Sequence, residues 1–191
     1  LTHMSGFTYG LQNRSNLDAA YREHNFDFAR DPLASDEFVG RLSKLPLEFA
    51  PGQGWNYSVS TDVLGIAVER ISGMRLGEYF EKHIFAPLGM TDTRFGVKEA
   101  DLDRLVDAYA YRPGQSPRMI SAGMTSKLAQ PGTFDSGGGG LVGSIADYHR
   151  FATMLLNGGA IDGARFLKLD HANSLFVFAR SKQGRFIEEI G

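Results

Sequence analysis

The chain has 191 residues, 42% of them hydrophobic and 22% charged, with a formal net charge of −2. That is enough apolar material for one domain with a core, and too even a charge balance for a nucleic-acid or anionic-lipid surface. No apolar run approaches the ~18 residues needed to span a bilayer, and the absence of cysteine excludes disulfides, zinc–thiolate sites and cysteine nucleophiles.

The opening, Leu1-Thr2-His3-Met4-Ser5-Gly6, has the character of neither an initiator segment nor a signal peptide. It is expected to enter a domain midway, with any targeting segment upstream, so a cytoplasmic and a periplasmic location both stay open. The first clear helix has Ser35 as its expected N-cap. Asp36 and Glu37 form an acidic first turn, Phe38, Val39, Leu42 and Leu45 share a face, and Pro46 stops it. A second helix is expected over 61–71, with Val63, Leu64, Ala67, Val68 and Ile71 at helical spacing and Ser72-Gly73 at its end. A third covers 76–85 and ends before Pro87. Between the third helix and the fourth, 94–97 and 108–112 are short strands or extended loop. Residues 116–134 are rich in turn formers without a period, and loops of that length are usually functional or mobile. Ser144 with Asp147 resembles a capping box. It opens a helix whose face is Phe151, Ala152, Leu155 and Leu156, stopped by Asn157-Gly158-Gly159. Past Gly163 the periodicity is poor, with a strand expected at 174–178. The whole is mostly helical with a minor sheet component.

Three motifs could carry chemistry. In Pro51-Gly52-Gln53-Gly54-Trp55-Asn56-Tyr57-Ser58-Val59-Ser60, a turn leads through an aromatic pair into a helix N-terminus. That would hold Tyr57 rigidly, either facing a cleft or as a core tyrosine pinning a loop. A phenol titrates near pH ~10, so Tyr57 needs a cation nearby to act as a base at neutral pH. Asp135-Ser136-Gly137-Gly138-Gly139-Gly140-Leu141-Val142-Gly143-Ser144 is a glycine run before a helix. Such a run lets a substrate approach the backbone, or makes a tight structural turn. It lacks the Gly-Lys-Ser/Thr of a phosphate loop and the spacing of a dinucleotide fingerprint. His3-Met4-Ser5-Gly6-Phe7 alone is a turn, and Ser5 beside His3 is not a catalytic pair. The five histidines show no metal-ligand spacing, no Gly-x-Ser-x-Gly elbow occurs, and no carboxylate pair suits a glycosidase. Neither a metal nor a cofactor is expected.

Taken in order, the motifs resemble those of the β-lactamase-related serine hydrolases, nearest to the esterases on the class C β-lactamase fold. Leu1-Thr2-His3-Met4-Ser5-Gly6 is similar to their Leu-Leu-x-His-Thr-Ser-Gly segment, and Pro51-Gly52 through Tyr57-Ser58 to their second active-site motif. Ile84-Phe85-Ala86-Pro87-Leu88-Gly89-Met90-Thr91-Asp92-Thr93 resembles their Ile-Phe-x-Pro-Leu-Gly-Met-x-x-Thr stretch almost letter for letter. Gly138 to Val142, with Ala146-Asp147-Tyr148 and Leu155 to Gly159, resembles the glycine loop and the helix after it. The likeness runs from residue 1 to about 165.

The resemblance implies the helical domain of a serine β-lactamase/penicillin-binding-protein-like α+β fold, present here as a mostly α fragment over 1–165, with an atypical tail over 166–191. It implies a Ser-x-x-Lys serine that attacks an ester or amide carbonyl and forms an acyl-enzyme. Tyr57 matches the tyrosine that shares proton transfer with the lysine, and Gly139 and Gly140 match the loop that lines the acyl pocket. Two features depart from the family. Val59 stands where the lactamases have the asparagine of Tyr-x-Asn, which disfavours β-lactam hydrolysis. Neither Ser-x-x-Lys nor Lys-Thr-Gly nor His-x-Gly occurs in the chain, and Lys182-Gln183-Gly184 mimics the third motif only on paper. The expectation is the middle portion of a carboxylesterase-type serine hydrolase acting on a small-molecule ester or amide. The alternatives are a non-catalytic truncated relative and a D,D-peptidase or β-lactamase.

Overall fold

The computed structural model describes residues 2–26, 33–122, 129 and 132–174. The first stretch takes its backbone partners from residues 48–59. The amide of Glu48 donates to the Gly6 carbonyl at 2.8 Å, Gly52 to Met4 at 2.8 Å, Asn56 to His3 at 2.8 Å and Val59 to Thr8 at 3.3 Å. Gly6 has φ +85°, and a β-carbon there would meet the Phe49 carbonyl oxygen at 2.2 Å. Only glycine lets the two strips lie this close.

Helix α1 (Asn16–Glu23) opens on a capping box formed by Ser15 and Asp18. Asp18 is fully buried and accepts from the Thr8 hydroxyl and from the Arg14 amide, each at 2.7 Å. Burial alone would raise its pKa. The Arg14 amide, the Thr8 hydroxyl and the Ser15 amide outweigh that and hold it below the ordinary value.

Helix α2 (Ser35–Leu42) buries Phe38 and Leu42 as expected, but its N-cap is Ala34 rather than Ser35. Ser35 lies one residue inside, and its hydroxyl donates to Glu69 Oε2 at 2.6 Å, so a long-range carboxylate takes the group that a cap would use. Helix α3 (Ser60–Ser72) ends at Gly73, with φ +70°. Its buried face is not the apolar one that the spacing predicts. Ser60, Asp62, Gly65 and Ile66 are buried, whereas Leu64 is exposed and Ile71 is 88% exposed. At Gly65 a β-carbon would lie 2.9 Å from Leu76 Cδ2 and 3.2 Å from Gly137 Cα. Close approach, rather than hydrophobicity, decides which side of α3 faces inward.

The third helix passes Pro87 instead of ending before it. Helix α4 (Leu76–Phe80) continues through a widened turn (Glu81–Phe85) into α5 (Ala86–Leu88), which Gly89 closes at φ +66°. In the widened turn the Ala86 amide reaches back to the Glu81 carbonyl. The ladder is therefore already displaced where Pro87 has no N–H to contribute.

Helix α6 (Ile145–Leu156) has Ser144 as its N-cap, accepting from the Asp147 amide at 3.3 Å. The box is only half made, because the Asp147 carboxylate accepts instead from the Asp92 amide and the Thr93 hydroxyl, each at 2.8 Å. Met154 is buried, with Phe151 and Leu155 packed beside it. Ala152 and Leu156, expected on the same face, are exposed. Helix α7 (Leu169–Ser174) follows. The rest of the strand expected at 174–178, and Lys182-Gln183-Gly184, lie outside the described residues.

Six short strands occur among the described residues: β1 (Arg94–Phe95), β2 (Ala108–Ala110), β3 (Arg118–Ser121), β4 (Leu141–Val142), β5 (Ala160–Ile161) and β6 (Ala164–Arg165). They pair antiparallel as β1–β4, β2–β3 and β5–β6. Strand β3 falls within the stretch whose sequence shows no period. The result is a helix-rich chain with small ladders, as the sequence implies.

Among the described residues two hydrophobic clusters form the core. Tyr9, Tyr21, Phe26, Leu33, Phe38, Leu42, Val59 and Ile66 make the first, and Phe85, Leu88, Met90 and Met154 the second. In the first, Tyr21, Phe26, Phe38 and Phe134 touch in series, tilted, edge-on and stacked in turn, at centroid distances of 5.1, 5.0 and 5.4 Å. Each such aromatic pair adds about 0.5–1.5 kcal/mol beyond its burial. Among the described residues no helix is long and apolar enough to cross a membrane.

Candidate active site

Residues 55–58 lie between the Pro51-Gly52 turn and α3, and their burial alternates. Asn56 and Ser58 are buried, while Trp55 is 67% and Tyr57 46% exposed. The alternation turns both aromatic rings outward just before α3 begins. Asn56 fixes the strip from below. Its amide nitrogen donates to the Phe7 carbonyl at 2.9 Å and to Glu48 at 2.6 Å, and its oxygen accepts from Arg14 at 2.9 Å. Gln12 donates to the Tyr57 carbonyl. The Tyr57 ring is flanked by His3 at 5.0 Å and Tyr9 at 5.1 Å between centroids, and Trp55 meets His3 edge-on at 6.0 Å.

His3 adopts φ +54°, a conformation uncommon for a residue with a β-carbon and held by its surroundings. Its Nδ1 lies 3.4 Å from Ser58 Oγ. Ser58 Oγ is 2.7 Å from Ser60 Oγ, which is 2.6 Å from Ser5 Oγ. Three hydroxyls from two distant segments thus run behind the Tyr57 strip. Burial lowers the His3 pKa, which favours the neutral imidazole.

The glycine run reaches the same place from the other side. Asp135 anchors its start at the beginning of α4. The carboxylate pairs with Arg75 at 2.9 Å and accepts from the Gly77 amide at 3.1 Å. Ser136 then donates to Asp62 Oδ1, and the Gly138 amide lies 3.4 Å from the same oxygen. Tyr9 donates to Asp62 Oδ2 at 3.2 Å. Burial raises the Asp62 pKa, and the hydrogen bonds from Ser136, Tyr9 and Gly138 offset part of that. Burial and the adjacent Asp62 charge push the Tyr9 phenol well above the ordinary tyrosine range, so Tyr9 stays a donor. Past this anchor Gly139 is half-buried and Gly140 exposed with φ +93°. The loop then enters β4 beside Phe95.

Tyr57 therefore stands at the entrance of α3, and the glycine loop is fastened to the first turn of that helix. Tyr9 and Asp62, which join them, have no sequence motif of their own. Val59 is fully buried in the first core cluster. A cavity of about 280 Å³ lies elsewhere, lined by residues that include Asp92, Arg94, Lys98, Arg104 and Ser144. Arg104 there is already held by Asp92 at 2.9 Å and Asp101 at 3.0 Å.

The family described as Beta-lactamase matches residues 1–184. Protein Rv1367c of Mycobacterium tuberculosis is 37% identical over 167 residues, covering 87% of this chain and 40% of the relative. Esterase EstB of Burkholderia gladioli is 34% identical over 173 residues, covering 78% of this chain and 41% of the relative. Among solved structures, EstCE1, described as a hydrolase with promiscuous acyltransferase activity, superposes with a TM-score of 0.74 at 24% identity, over 90% of this chain and 47% of that one. The chain thus spans about two fifths of the length of these curated relatives. The superposition places its helix-rich architecture in the β-lactamase/penicillin-binding-protein-like fold.

Proposed function

Because the chain belongs to the Beta-lactamase family, we propose that it is part of a serine hydrolase of the carboxylesterase kind, acting on small-molecule esters or amides through an acyl-enzyme. One observation carries this: a rigidly framed, half-exposed Tyr57 at the start of α3, with the glycine loop tied to the same helical turn through Asp62. Tyr57 would pass the proton between nucleophile and leaving group, and Gly139 and Gly140 would line the acyl pocket. No Ser-x-x-Lys occurs in these residues, so nucleophile and lysine come from another part of the protein. That lysine would supply the cation that a phenol needs to act as a base. Residues 1–165 would then form a partial catalytic domain, with 166–191 as a tail outside it. The burial of Val59 favours esters over β-lactams, since no asparagine amide is offered at that place. The esterase name of the Burkholderia relative supports an ester substrate.

The test is Tyr57→Phe in a protein that joins this chain to a Ser-x-x-Lys segment. Loss of the hydroxyl should lower kcat for p-nitrophenyl butyrate by about 10²–10⁴-fold, the usual range for general acid–base groups, with the denaturation midpoint kept. An unchanged kcat would make Tyr57 structural. The missing Ser-x-x-Lys also favours a second possibility, a non-catalytic relative that binds acyl or peptidyl ligands. That possibility requires no esterase activity even in the longest natural form of the protein.

A further inference from the structure

We propose that Asp62 is a positioning residue that couples Tyr57 to the glycine loop, an inference that rests on the two belonging to one catalytic site. Asp62 is the third residue of α3 and is 3% exposed. Its two oxygens face different parts of the site. Oδ2 accepts from the Tyr9 hydroxyl at 3.2 Å, and the Tyr9 ring lies 5.1 Å from that of Tyr57. Oδ1 accepts from the Ser136 hydroxyl and faces at 3.4 Å the Gly138 amide, which also donates to that Ser136 Oγ at 3.0 Å. A carboxylate is the side chain that accepts on both oxygens at once. A displacement on one side is therefore transmitted to the other through a rigid, three-atom group fixed to the helix.

Sterics point the same way. A β-carbon on Gly138 would stand 3.0 Å from Asp62 Oδ2 and 3.0 Å from Tyr9 Oη. On Gly137 it would stand 2.1 Å from the Thr61 carbonyl oxygen. The loop is seated against the two groups that Asp62 holds, with no side chain between to act as a cushion. Tyr9 is 1% exposed. Together Asp62, Tyr9, Tyr57 and Gly138 form a unit whose geometry depends on one carboxylate.

The experiment uses the 191-residue chain, with amide hydrogen exchange at 137–140 and the ¹³C-tyrosine resonance of Tyr57 as readouts. Asp62→Ala should raise exchange at Gly138 by about tenfold or more, as expected when a buried acceptor is lost and local opening becomes easier, and should shift the Tyr57 resonance. Asp62→Asn keeps the shape but only one acceptor oxygen, and should leave at least one of the two readouts displaced. Ser136→Ala should move the Tyr57 readout as well as the loop readout, and Tyr9→Phe the loop readout as well as the Tyr57 readout. Asp62→Ala with either readout unchanged, or Asp62→Asn with both readouts as in the parent, overturns the proposal. If Asp62→Ala does not fold, the two single-donor variants decide: movement of both readouts in each variant supports the coupling, and movement of the nearer readout alone overturns it. None of these readouts uses turnover. A catalytically silent Tyr57 would therefore sink the site assignment and leave this link intact, and failure of the link would leave a catalytic Tyr57 untouched.

Discussion

The backbone of Thr61 occupies the space that a side chain on Gly137 would need, with its carbonyl oxygen 2.1 Å from where the β-carbon would be. Gly137 is not a positive-φ residue, so the constraint is purely one of contact. Gly137→Ala should destabilise the chain by about 1–3 kcal/mol, the usual cost of overpacking. Gly40, inside α2, has nothing within 4 Å of its absent β-carbon, and Gly40→Ala should stabilise by about 0.8–1 kcal/mol through helix propensity alone. Urea denaturation of the two variants checks both signs, and equal effects would remove the distinction.

The start of α6 depends on one hydroxyl. Ser144 accepts from the Asp147 amide at 3.3 Å, while the Asp147 carboxylate is committed to Asp92 and Thr93 and leaves the cap to Ser144. Ser144→Ala should cost about 1 kcal/mol, typical of a lost N-cap, and Ser144→Asp should recover it. Thermal melts of the pair settle the matter.

Asp62 gives a pH dependence of defined sign. Burial raises its pKa above the ordinary 3.8, so the folded state disfavours its charged form. Its favourable contribution is complete below the unfolded value and is lost as the pH rises through the folded one. The stability difference between the chain and Asp62→Asn should therefore shift towards the variant as the pH is raised from below 4 to 7. Asp92 behaves oppositely. Hydrogen bonds from Arg104 lower its pKa to about 2, so its contribution is present above 3.8 and fades as the pH falls towards 2. Urea titrations at several pH values across this window read both, and a flat profile for Asp62→Asn relative to the parent would contradict the burial argument.

The 191-residue chain alone should not turn over esters. Acyl transfer of this type needs an activated nucleophile, a base and oxyanion donors together, and Tyr57 is at most one of them. Purified chain mixed with p-nitrophenyl butyrate should match a heat-denatured control, and a fluorophosphonate probe should label no serine stoichiometrically. Labelling accompanied by turnover would point to a nucleophile within these residues.

Element positions were legible where local chemistry decides them. Ser144, Gly73 and Asn157-Gly158-Gly159 mark the ends of helices in both sequence and structure. Helix α1 carries at Ser15 and Asp18 the same Ser-x-x-Asp signature as Ser144 and Asp147, and that signal was there to be used. The inner face of α3 was not legible. Its apolar residues suggested one side, while Asp62 and Gly65 turn another inward because Tyr9, Leu76 and Gly137 come there from distant segments. The same holds for the candidate site. Tyr57 and the glycine run have recognisable patterns, but Tyr9 and Asp62 matter only through a contact 53 residues apart in sequence, which no local period encodes.

The widened turn over Glu81–Phe85 changes which residues are neighbours. Phe80 and Phe85, five apart, lie with ring centroids 5.8 Å from each other, whereas in a regular helix that closeness belongs to residues three or four apart. The extra residue and Pro87 are thus a matched pair. Removing one position from 81–84 would bring the proline ring back against a carbonyl of the preceding turn. A relative with a regular helix here should lack both the proline and one residue, and its alignment to this chain should carry a single-residue gap between Phe80 and Phe85. That gap would preserve the aromatic contact while shortening the chain, so the length variation is neutral for packing.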